Sequence, residues 1–205
     1  MSLALRRHPR MQFAGWDLLR LLSRWSARLA LCCAAVGAHA QATAPTAPAA
    51  PAPTVDETKA GHLHRFCGFV EWPQASFSSP EAPIVVGIVG APVLHKDLAQ
   101  IVAGRLVQNR AIQVVELAEP RQGSTVHMLM IGRGAWKRAG DWIAAVKGLP
   151  VLVITDMPQG LERGAALSFV ESDGRLRFEA SVPAAEAAGL KLSARLLPLA
   201  ERVVK

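Results

Sequence analysis

From Thr54 onward the apolar positions change period several times. Leu63, Phe66, Cys67 and Val70 fall on one helical face, and Thr54 followed by Glu57 has the form of a capping box. Pro73 forces Trp72 out of the helical region, so the pattern predicts a helix ending near Glu71. "IVVGIVG" (84–90) is a β-branched run without polar alternation, as expected of a strand covered on both faces. Pro92 starts a helix with Leu94, Leu98, Ile101 and Val102 on a shared face. "AIQVVEL" and "VHMLMIG" read as the second and third strands. The next helix, with Trp136, Ala139, Ile143 and Val146 on one side, leads through Gly148 to a fourth strand, "PVLVITD". Strands that alternate with helices imply parallel pairing.

The last strands follow another rule. "ALSFVES-DG-RLRFEASV" reads as a hairpin around Asp173-Gly174, the dipeptide favoured by a type I′ turn. That turn sets Phe169 opposite Phe178 and Leu167 opposite Ala180 on a buried face, and places Arg175, Arg177 and Glu179 on the other. Pro183 begins a helical tail in which Gly189 marks a break, Ser193 a cap and Pro198 a kink in the last helix. The expected fold is α/β, a three-layer sandwich with a mostly parallel central sheet, a C-terminal antiparallel hairpin and flanking helices.

The segment ahead of this pattern changes the charge reading. Six arginines, the apolar run "LALCCAAVG" and Ala38-His39-Ala40 predict a secretory signal peptide over residues 1–40, cleaved after Ala40. Residues 41–53, "QATAPTAPAAPAP", read as a Pro/Ala-rich linker, which leaves 54–205 as one domain. The chain's 23 basic and 16 acidic residues include six arginines and one aspartate before residue 41, so 17 and 15 remain, a net charge of +2. Nucleic acid binding, which needs a clustered basic surface, loses its support. Cys32 and Cys33 leave with the signal, so Cys67 has no intramolecular partner, and its place in the apolar stripe suits an inert core residue.

Catalytic machinery is not visible. His62, His64 and Cys67 diverge on one helix and form no structural zinc set, so no metal and no cofactor are expected. Gly132-Arg133-Gly134 lacks the third glycine of a dinucleotide fingerprint and fits a tight strand-to-helix turn. Asp156 ends the fourth strand, where α/β ligand sites often lie, without the further acids of a phosphoacceptor. Two groups remain as candidate surfaces. Glu71, Trp72 and Pro73 combine a helix-end carboxylate with a large amphipathic ring, with packing as the alternative use. Arg175, Arg177 and Glu179 form either a solvated strand face or an anchor for a carboxylate or phosphate.

Taken in order, "FVEWP", "VVGIVG", "GRLVQNRAIQV", "VHMLMIG", "LPVLVITD", "GRLRFE" and "AGLKLSARLLPLA" resemble the YfiR family of exported bacterial proteins over residues 58–203. The family's "K-A-x-x-L-x-x-F" opening matches Lys59, Ala60, Leu63 and Phe66, whereas its R-F-E-I-N strand reads Arg177, Phe178, Glu179, Ala180, Ser181 and loses its Asn. The resemblance implies a periplasmic, non-enzymatic regulator that docks on the periplasmic sensory domain of a membrane diguanylate cyclase or sensor kinase, and so acts on cyclic di-GMP signalling and biofilm formation. It also implies disulfide-borne redox input in the best-known member, which a single mature cysteine does not provide within one chain. A homodimer would match a dimeric partner. The competing reading is a periplasmic small-molecule binding module with Arg175 and Arg177 as anchors for a small anionic ligand, and a hydrolase is a distant third.

Overall fold

The computed structural model describes residues 52–205; the signal-peptide reading and most of the linker lie outside them. Helix α1 (Val55–Phe69) begins at the capping box, with both reciprocal Thr54 and Glu57 bonds formed and Asp56 and Glu57 in its first turn. It buries Lys59, Ala60, Leu63, Phe66 and Cys67. The helix stops at Phe69, two residues short of the expected end. Val70 is extended (φ −112°, ψ 134°), and Val70–Glu71 forms strand β1. β1 pairs antiparallel with β9 (Lys191–Leu192), Glu71 opposite Lys191.

The main sheet has eight strands. In chain order they are β2 (Ile84–Val89), β3 (Leu106–Val107), β4 (Arg110–Glu116), β5 (Met128–Ile131), β6 (Leu152–Thr155), β7 (Leu167–Ser172), β8 (Arg175–Ser181) and β10 (Arg202–Val204). Their spatial order is β10-β8-β7-β6-β5-β2-β4-β3, and the run from β4 to β7 is parallel throughout. Alternate residues of β5 serve different cores, as period-two geometry demands. Met128 and Met130 join α1 and α2 (Pro92–Val102) around Phe66, Leu94 and Leu98. Leu129 and Ile131 join α3 (Ala139–Ala145) around Trp142 and Val146. This is a mixed α/β fold with a large, mostly parallel sheet flanked by helices.

The hairpin has the expected register, Phe169 opposite Phe178 and Leu167 opposite Ala180. Asp173 and Gly174 both have positive φ (51° and 68°), as a type I′ turn requires.

Two regions depart from the sequence pattern. The expected helix through Trp136 starts as a 3-10 turn (Arg133–Arg138) before α3 begins, so its side chains advance at a tighter pitch. Ala139, Trp142 and Val146 therefore carry the packing, while Trp136 is only partly buried against the same core and gives its indole N–H to Asp156. The C-terminal tail is mostly not helical. After the short α4 (Val182–Ala187), capped by Ser181 Oγ, Gly189 at φ +69° turns the chain into β9. Pro198 lies in the first turn of a 3-10 segment (Leu197–Leu199), where its missing N–H costs nothing, and the chain then adds β10 in parallel to the edge of β8.

Candidate functional site

Trp72 is 9% exposed and its indole N–H donates to the His127 carbonyl at 3.0 Å. The Val85 amide donates to His127 Nδ1 (3.0 Å), which fixes the proton on Nε2; that nitrogen in turn donates to Ser76 O at 3.1 Å. Phe77 stacks on His127 with ring centres 4.5 Å apart, and the buried Arg110 lies 3.7 Å above Phe77. Arg110 also donates to the carbonyls of Ser79 (3.0 Å) and Ala82 (2.7 Å). Trp72 and Pro73 thus open a loop pinned to the N-terminal ends of β2 and β5. Burial holds the His127 imidazole below its ordinary pKa of 6.5, and Arg110 adds to the effect against the Ser76 bond. Sequence reasoning missed His127 and Arg110; the available signal was one polar residue at the head of an apolar strand.

Glu71, by contrast, is exposed. The hairpin trio also divides. Glu179 accepts from Arg202 Nε and Nη2, both at 2.8 Å, and Arg202 reaches Glu162 at 2.9 Å, so this carboxylate fastens β10 to the sheet. Arg175 and Arg177 are exposed and have no carboxylate partner among the described residues. Arg177 borders a cleft of about 260 Å³ with His62, Arg65, Phe66, Phe69 and Leu199, the last 58% exposed. The Arg195 guanidinium lies 5.9 Å from the Phe69 ring centre. His62 touches Phe66, Phe169 and Phe178 at 5.8–5.9 Å between centres, and burial followed by the Arg65 charge lowers its pKa. The structure therefore adds Arg65 and Arg195 to the predicted arginines and sets them around aromatic rings. It places Glu71, Trp72 and Pro73 elsewhere.

Asp156 follows β6 and is nearly closed off from solvent. Its Oδ2 meets Lys59 Nζ at 2.5 Å, and its Oδ1 accepts from the Trp136 indole at 3.0 Å. Gly132 and Gly134 have a packing explanation: the Gly134 amide donates to Gly90 O at 2.9 Å, and a Cβ on Gly134 would stand 2.9 Å from that oxygen. The close approach of the Gly90 backbone is what the turn accommodates. Cys67 is buried, which pushes its thiol up to about 12. Among the described residues no helix is long and apolar enough to cross a membrane, and no cluster of three or more His, Cys, Asp or Glu could hold a metal.

The sequence and its ordered motifs identify the class. Residues 56–201 match the YfiR/HmsC-like family, DUF4154, and the chain belongs to that family. A crystal structure of a conserved domain protein from Vibrio cholerae O1 biovar eltor str. N16961 superposes with a TM-score of 0.52 at 12% identity, over 73% of this chain. The chain spans 60% of that protein's length, and the likeness is one of fold. No curated protein matches the chain significantly.

Proposed function

We propose that this protein is a periplasmic, non-enzymatic regulator, exported by residues 1–40, whose domain is a three-layer α/β sandwich. It docks on the periplasmic sensory domain of an inner-membrane diguanylate cyclase or sensor kinase and represses cyclic di-GMP or related signalling. The observation that carries the reading is membership of the YfiR/HmsC-like family across 56–201. Binding that favours one arrangement of the partner shifts its population, and a stimulus acts by changing that affinity. A homodimer would present two such surfaces to a dimeric partner.

The docking face we assign is the arginine-ringed cleft between α1 and β8. Arg65 and Arg177 line it with Phe69 and the exposed Leu199, Arg195 lies 5.9 Å from the Phe69 ring, and none of the three has a carboxylate partner among the described residues. Such a face fits an acidic surface that offers an apolar side chain. The test is capture of gently solubilised inner-membrane proteins on residues 41–205, identified by mass spectrometry. Recovery of a diguanylate cyclase or sensor kinase, lost with Arg65→Glu and Arg177→Glu together, is the expected result. A membrane extract in which such proteins are abundant and none binds would overturn the reading.

A further inference from the structure

The Lys59, Asp156 and Trp136 cluster opens onto a cleft of about 310 Å³ at the C-terminal ends of β5 and β6. The carboxyl ends of parallel strands are where α/β sheets hold ligands, because the loops there diverge and leave space. Arg133, Met157 and Phe169 line the cleft with the cluster, and Glu171 stands at its rim.

Packing alone accounts poorly for the ion pair. A buried pair yields little net stability against apolar residues of similar volume, so polarity at this position calls for another use. Lys59 is only 9% exposed, and its ammonium has three donors. One goes to Asp156 Oδ2; Asp56, 3.9 Å away, is a second and looser ion-pair partner beyond hydrogen-bond range, so two donors remain unused beside the opening. Asp156, held from both sides, fixes the ammonium in place. Arg133 lies 5.2 Å from the Trp136 ring centre, has no carboxylate partner among the described residues, and supplies a second, exposed cation. Trp136, Met157 and Phe169 give apolar walls. Glu171 adds one negative charge that disfavours a second anionic group on the ligand.

We propose that this cleft binds a small organic monocarboxylate, its acid group between Lys59 and Arg133 and its apolar body along Trp136. The cleft adjoins the docking face, with Leu176 in the walls of both, but its cations Lys59 and Arg133 are not those of that face, so failure to bind a carboxylate leaves the regulator reading standing.

Benzoate and butyrate are the probes, with succinate as the doubly charged comparison, titrated into the purified protein by calorimetry and by tryptophan fluorescence. The two monocarboxylates should bind in the millimolar range or tighter and succinate more weakly. Arg133→Gln, an exposed change that spares the buried pair, should weaken benzoate about tenfold through loss of a charge-assisted contact. Glu171→Gln should narrow the gap between succinate and butyrate. The proposal is overturned if folded wild-type protein binds neither monocarboxylate, or if Arg133→Gln binds both as wild type does.

Discussion

Trp72 and Trp136 each hand an indole proton to an acceptor on the sheet, yet they end in opposite situations. Trp72 donates to a backbone carbonyl inside a cluster where the ring nitrogens of His127 and the Arg110 guanidinium also have partners. The buried Ser76 hydroxyl there has no partner among the described residues, but the indole, imidazole and guanidinium bonds all turn inward. Trp136 donates to a carboxylate that shares its charge with Lys59, beside an open cleft with an unneutralised arginine. The first arrangement closes a loop onto the N-terminal ends of the strands; the second keeps charge at their C-terminal ends. The Trp72 ring is thus held within the packing, whereas Trp136, in the 3-10 segment after β5, lines an open cleft.

The sharpest way to break the contrast is to remove Asp156. Asp156→Ala leaves Lys59 buried without its counterion and should cost about 3–5 kcal/mol of unfolding free energy. Exchange of both partners, Lys59→Met with Asp156→Leu, should recover most of that loss while ending carboxylate binding. Denaturant melts of the three proteins measure this. If the double variant were as unstable as the single one, the pair would be a stabilising element and the argument for a ligand would lose its premise.

At the other end, His127→Phe keeps an aromatic ring against Phe77 but strands the Val85 amide and frees the Ser76 carbonyl. An unsatisfied buried donor costs about 1–3 kcal/mol, and that is the expected loss in a denaturant melt. Capture of the membrane partner should survive, since the arginine face is built from other elements. Loss of capture without loss of fold would move the docking surface to the Trp72 loop.

The sequence carried the parts of the fold whose period was unmistakable. The capping box at Thr54, the unbroken strand "IVVGIVG" and the Asp173-Gly174 turn each appear in the structure where the pattern puts them. β1 and β10 were hidden because neither has a period to read. Val70–Glu71 is extended only because β9 lies beside it, and Arg202–Val204 becomes a strand by joining the open edge of β8. The candidate sites split in the same way. Asp156 could be flagged from its place after a strand, but its bond to Lys59 joins residues 97 positions apart, and no local pattern announces it. Arg177 was legible as an exposed strand residue, whereas Arg65 reaches the same cleft from a helix and Arg195 meets its Phe69 from a turn.

The mildest perturbation is acid, and it acts on the closed cluster through His127. Neutral Nδ1 must accept the Val85 amide, and burial lowers the folded pKa beneath the ordinary 6.5. The unfolded chain then binds its proton first, so this contribution to stability is complete above about 6.5 and declines as pH falls toward the folded value. His62 and His64, also lowered by burial, act with the same sign. His127→Asn, whose carbonyl can still meet the Val85 amide, should flatten the decline without abolishing it. The local readout is the pair of indole N–H resonances: below pH 6.5 the Trp72 signal should move more than that of Trp136, whose cluster contains no histidine. Equal movement of both would mean that acid loosens the whole domain, and the distinction between a closed and an open end of the sheet would fail.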